Sequence, residues 1–204
     1  MKTEKIDLYK AHAADYVTPK KPILLKIPKS QYLAIEGQGA PGGPAFQDAV
    51  GALYAVAYTL KMTNKFESGR DYAVAKLEAQ WWVDEGACFE KESKDKWHWN
   101  LLIRTPDFVT RKDVASIHAK LVEKGKPAVV KKVVLAPINE GQCVQMLHVG
   151  PYDRVGDSIA SMQAAAGEQG YVFHGRHHEI YLNDPRRVAP EKLRTIVRVP
   201  LKKK

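Results

Sequence analysis

Along this chain the spacing of apolar residues switches between a period of two and a period near 3.6. Tyr32-Leu-Ala-Ile-Glu-Gly37 alternates and predicts a strand, and the stretch from Gly37 to Pro44 predicts a loop by its glycines and prolines. Phe46, Val50, Leu53, Tyr54, Ala57 and Leu60 then recur on one side of a helix over 45–62. Residues 64–71 are polar and turn-like. A strand is predicted over Tyr72–Val83, a charged hairpin from Asp84 to Lys96, and a second strand over Trp97–Arg104. The next helix, 110–124, has Thr110 as its N-cap and Gly125 as its stop. Val129–Leu135 is β-rich.

The first pattern then returns. Gln142–Pro151 predicts a strand ending in a Gly-Pro turn, and 153–168 a helix with Val155, Ile159, Met162 and Ala166 on one face. His177–Leu182 is a strand, Asn183–Pro190 a loop and Thr195–Leu201 the closing strand. Strand, helix, strand, strand thus occurs twice. Leu77-Glu78-Ala79 aligns with His178-Glu179-Ile180, and Glu36 with His148. A duplication of this length means a repeated fold rather than a solenoid. The predicted architecture is α+β: duplicated strand–helix–strand–strand units forming an antiparallel sheet. The pseudo-repeat halves are about 23–110 and 111–204 of one domain, 1–204, with a central ligand cleft between them. Residues 6–16 precede them as an N-terminal arm bearing Tyr9 and Tyr16, ended by Pro19 and Pro22.

Composition narrows the function classes. With 45% hydrophobic and 27% charged residues the chain has ordinary globular usage. Its apolar runs are too short to span a bilayer, and the charged first residues lack an apolar leader, so the expected address is the cytoplasm, with no membrane partner. The two cysteines, Cys88 and Cys143, form no CxxC spacing and are expected as reduced thiols. The net charge of +9 comes with scattered lysines and no helix-turn-helix, zinc-finger or RNA-binding signature, so specific nucleic-acid binding is not expected. A weak homodimer is the furthest self-association the sequence suggests.

Strand alternation places Glu179 on one face with His177 and Tyr181, and Glu78 on one face with Gln80 and Trp82. Two repeat-related strands therefore each present a carboxylate beside an aromatic ring. A carboxylate in an apolar pocket is raised in pKa by desolvation. A bound cation offsets that cost, and aromatic faces attract the cation further. The expected partner is a small aromatic or cationic molecule. His177 and His178 fall on opposite faces and cannot readily share an ion, so no metal site is expected; no cofactor is implied either. Gly37–Gly43 lacks the GxGxxG and P-loop patterns, and Ser158 and Ser161 lack a nucleophile elbow. Trp97 and Trp99, which share a face with Leu101 and Ile103, are expected in the core.

The chain resembles the GyrI-like small-molecule-binding family, which includes the effector-binding domains of multidrug-sensing activators. The resemblance rests on Tyr32–Gly37, Phe46–Tyr54, Leu77-Glu78, Leu102–Phe108, Val144–Tyr152, Glu179–Arg187 and Ala189–Thr195, in that order. It implies a duplicated antiparallel fold around a cavity for flat, often cationic xenobiotics. A stand-alone branch of similar length includes hydrolases that open the cyclopropane of DNA-alkylating compounds within an aromatic cage. For such a reaction Trp82, Tyr181, Tyr152 and Tyr9 would stack the ligand, and Glu179 or Glu78 would aim the water. His148 or a tyrosine hydroxyl would donate to the oxygen that gains charge. The alternatives are a non-catalytic drug- or metabolite-binding protein and a gyrase-inhibitor-like interaction module, the latter disfavoured by the basic surface.

Overall fold

A computed structural model describes residues 5–85, 89 and 91–204. Cys88, in the charged hairpin, lies outside the described residues. In chain order the elements are α1 (Leu8–Ala11), β1 (Ile23–Ile27), β2 (Ser30–Gln38), α2 (Pro44–Glu67), β3 (Leu77–Trp82) and β4 (His98–Arg104). They continue with α3 (Arg111–Glu123), β5 (Val134–Ile138), β6 (Gly141–Val149), α4 (Val155–Glu168), β7 (Tyr171–Phe173), β8 (His177–Tyr181) and β9 (Arg194–Lys203). The class is α+β with antiparallel strand ladders, as the sequence predicts.

The described residues fall into two compact units that interleave along the chain. The first lies within Met1–His12, Ser30–Leu77 and Trp81–Ile138, and the second within Ala13–Lys29, Glu78–Gln80 and Asn139–Lys204. The boundary differs from a division near residue 110 because two strands pair away from their sequence neighbours. β5 pairs with β2, with Ser30 opposite Ile138. β1 pairs with β6, with Ile23 opposite Gln145.

In the first unit β2 lies between β4 and β5. α2 starts at Pro44, where a missing N–H costs nothing, and buries Leu53, Val56 and Leu60. It runs five residues past the predicted end at 62, to Glu67. Asn64 supports that extension: its Nδ2 donates to the Leu60 carbonyl at 3.0 Å, and its own carbonyl accepts from the Ser68 and Arg70 amides. Trp81 stacks on Phe46 at 5.6 Å and Trp99 meets the same ring edge-on. Gly37 is required beside them, since a Cβ there would come within 2.2 Å of the Trp99 ring. Thr110 and Asp113 close a reciprocal capping box on α3. The β-rich run from Val129 instead begins as a 3₁₀ turn, Ala128–Lys132, set by Pro127; the strand starts only at Val134.

The second unit orders its strands β1–β6–β9–β8, with β7 pairing β9 beyond the end of β8. Its core lies on the face covered by α4, where Met162 and Ala166 meet Val144, Met146, Val197, Val199 and Leu201. On the opposite face the buried Ile180 and Ile196 lie beside a polar cross-strand row, His178, Arg198 and Gln145. None of the described helices is long and apolar enough to cross a membrane.

Candidate functional site

The ladder register of the second unit decides which face each predicted site residue takes. Glu179 stands opposite Val197, and Val197 opposite Met146, so Glu179 projects to the α4 face. Tyr181 stands opposite Thr195, and Thr195 opposite His148, in a second row on that face. Glu179 is only 8% exposed. Its Oε1 is 2.9 Å from His177 Nε2, and its Oε2 accepts from the Tyr181 hydroxyl at 2.8 Å. Burial alone would raise the carboxyl pKa, but the hydrogen bond and charge of His177, with the Tyr181 hydrogen bond, outweigh it and hold the group below its ordinary value. The predicted pairing of carboxylate with His177 and Tyr181 is thus present as direct hydrogen bonds.

Tyr152, in the turn before α4, packs edge-on against the Tyr181 ring at 5.6 Å and 79° and remains 36% exposed. Burial, then the negative charges of Glu179 and Asp184, push its hydroxyl up to about 12, so it stays protonated as a donor. His148 is buried; its Nδ1 is 3.0 Å from Ser158 Oγ, and its Nε2 donates to the Pro151 carbonyl at 3.1 Å. These bonds tie β6, the turn and α4 together behind the carboxylate.

The other face of the same strands holds a buried ionic network. His178 stands opposite Arg198 on β9. His178 Nδ1 is 2.9 Å from Glu140 Oε1, and its Nε2 is 3.1 Å from Glu78 Oε2, an ion-pair contact off hydrogen-bond alignment. Arg198 donates to Glu140 Oε2 and to Gln145 Oε1, each at 2.7 Å, and to the Asp15 carbonyl. Tyr16 donates to Glu78 Oε1 at 3.0 Å. His178 is 0% and Glu78 1% exposed. Burial would lower the His178 pKa, but the Glu140 charge and hydrogen bond, with Glu78 behind it, raise it to about 9. Burial would raise Glu140, and His178⁺ and Arg198⁺ instead hold it at about 2. Two carboxylates and two cations thus compensate one another in a buried site.

Of the predicted site residues, the structure therefore brings Glu179, Tyr181, Tyr152 and His148 to one face of the second unit. It does not bring Glu78 to them: Glu78 joins the network on the opposite face, so the two repeat-related carboxylates do not share one interior. Trp82 and Tyr9 belong to the first unit, where Trp82 stacks on His98 at 5.4 Å and Lys76 Nζ lies 5.7 Å over the Tyr9 ring. Sequence reasoning missed Arg198, Glu140 and Thr195. Arg198 had a signal, an arginine inside the apolar run Thr195–Leu201, where burial demands paired anions. Among the described residues no cluster of three or more His, Cys, Asp or Glu is arranged to hold a metal ion.

The GyrI-like small molecule binding domain family matches residues 20–202 of the chain. An uncharacterized conserved protein from Listeria innocua is 36% identical, with 97% of this chain and 100% of that one aligned at a TM-score of 0.89. A protein described as a hydrolase from Listeria innocua is 34% identical over 97% of this chain and 100% of its own, at a TM-score of 0.87. The EcmrR C-terminal domain shares the fold alone, at 11% identity and a TM-score of 0.58 over 90% of this chain and 98% of that one. No curated protein matches the sequence.

Proposed function

We propose a function from one premise: the chain belongs to the GyrI-like small molecule binding domain family. It binds a small planar aromatic molecule against the Glu179, Tyr181 and Tyr152 face of the second unit and hydrolyses ligands that carry a strained, cyclopropane-type carbon. The observation that carries this reading is Glu179, a buried carboxylate kept ionised between His177 and Tyr181. Similarity to a hydrolase over the full aligned length supports an enzyme rather than a passive binder.

The chemistry balances without a cofactor. The oxygen of a water attacks the strained carbon, and the ring's carbon–carbon bond breaks. Its electron pair passes through the conjugated ring system to a carbonyl oxygen, which becomes a phenolate. Glu179 accepts one proton of the water, the other stays on the new hydroxyl, and the phenolate takes up the proton that Glu179 gives back, by way of solvent, which restores the carboxylate. A positioned base of this kind contributes about 10²–10⁴-fold. The tyrosine rings supply a stacking surface, and the protonated Tyr152 hydroxyl supplies a donor.

One observation favours a second reading. Both Glu179 oxygens already accept hydrogen bonds, and the carboxyl is held below its ordinary pKa. That arrangement suits electrostatic holding of a cationic aromatic ligand without turnover. Incubating the pure protein with a duocarmycin-type cyclopropane compound and following water addition by mass spectrometry separates the two. Turnover above buffer that falls roughly 10²–10⁴-fold in Glu179→Gln, with binding retained, is the expected outcome. Tight binding without turnover leaves the sequestering protein.

A further inference from the structure

Among the described residues of the second unit, four buried side-chain atoms lack a hydrogen-bond partner: Glu78 Oε2, His178 Nε2, His177 Nδ1 and Thr195 Oγ1. The first two face each other at 3.1 Å as an ion pair. The two that remain unexplained both lie on the face of Glu179. His177 holds the carboxylate through its other ring nitrogen. Thr195 sits in the next cross-strand row, flanked by Tyr181 on β8 and His148 on β6. It is 1% exposed.

An orphaned hydroxyl is costly. A buried polar atom without a partner loses its hydration and gains nothing, and such atoms are rare in folded proteins. A threonine at this position could be a valine of nearly the same shape. The hydroxyl is explained if its partner is supplied from outside the chain. We propose that Thr195 Oγ1 is a specificity-determining donor for a ligand oxygen, so that the site takes planar aromatic molecules carrying a carbonyl. This rests on the reading of the Glu179 face as the ligand site. It adds where the oxygen that gains charge is received: one strand across from the base, beside the Tyr181 ring. His177 Nδ1, two residues along β8 from Glu179, is the matching open position for a second polar atom of the same ligand. Thr195 is buried, and at low local dielectric one such bond counts for more than it would at the surface.

The test compares Thr195→Val and Thr195→Ser with the wild type, using fluorene and fluorenone, planar tricycles that differ in one ketone oxygen. Equilibrium dialysis measures affinity, and the cyclopropane compound measures turnover. Thr195→Val is expected to weaken fluorenone binding roughly threefold to tenfold while leaving fluorene unchanged, with Thr195→Ser close to the wild type. Thermal stability is expected to hold or rise by about 2–4 °C, because the variant removes an unsatisfied hydroxyl. Equal loss for both probes, no loss for either, or no binding of either probe to the wild type overturns the proposal. A Thr195→Val effect on fluorenone that persists while Glu179→Gln leaves turnover intact supports the donor and rejects Glu179 as the base. The loss of one reading is thus told apart from the loss of the other.

Discussion

Replacing Glu140 by Gln removes one anion from a buried group of two carboxylates and two cations, and its cost should depend on pH in a direction the structure fixes. His178 is raised to about 9 in the folded protein, against 6.5 for a free histidine. Between those values the native state holds a proton that the unfolded chain has released, so unfolding free energy falls as pH rises. The contribution is fully present below 6.5 and gone above about 9; at about 1.4 kcal/mol per pH unit it amounts to about 3 kcal/mol. Glu140, held at about 2, describes the same attraction from the anion's side: that contribution is present above its ordinary 4.5 and lost as pH falls through about 2. The two figures are one interaction and are not added. Glu140→Gln leaves His178 with Glu78 and takes from Arg198 the carboxylate it pairs with, and breaking a buried pair in this way costs about 3–5 kcal/mol. At pH 6 the variant should be less stable by that amount. By pH 9.5 the difference should shrink by about 2–3 kcal/mol, because wild-type His178 has by then lost the proton that Glu140 stabilised. Urea unfolding of both proteins from pH 6 to 9.5 measures this. Parallel stability curves across that range would refute the reasoning.

The fold was legible wherever periodicity was long. The α2 stripe of Leu53, Ala57 and Leu60 and the α4 stripe of Met162 and Ala166 appear as buried faces. The alternation His177, Glu179, Tyr181 appears as two direct hydrogen bonds. What could not be read was long-range pairing. Nothing local in Ile23–Ile27 says that it pairs with β6 rather than with β2, and that choice moves the boundary between the units. The same gap explains Glu78. Alternation within β3 correctly separates Glu78 from Leu77 and Ala79, but it does not say which face of the neighbouring strand that side joins. Only the contacts of His178 with Glu78 and of Tyr16 with Glu78 put it opposite Glu179. The repeat alignment equated the two glutamates by position, and position in a repeat does not fix which face a side chain takes.

Tyr16→Phe should cost about 1–3 kcal/mol in urea unfolding, since Glu78 Oε1 loses the hydroxyl that donates to it at 3.0 Å. The two glutamates themselves should separate into opposite phenotypes. Glu78→Gln leaves His178⁺ and Arg198⁺ with Glu140 alone and should lower stability by about 3–5 kcal/mol, as removal of one buried anion does. Because Glu78 lies on the far face from Tyr181 and Tyr152, ligand affinity measured below the unfolding transition should not change. Glu179→Gln should do the reverse. Its amide oxygen can still accept from Tyr181, so stability should fall by about 1 kcal/mol while turnover is lost. Calorimetry and mass-spectrometric turnover on the same two preparations decide the matter. A Glu78→Gln protein that melts like the wild type but no longer processes ligand would mean that the carboxylate doing chemistry is the one on the Tyr16 side. The division of labour between the two faces would then be wrong.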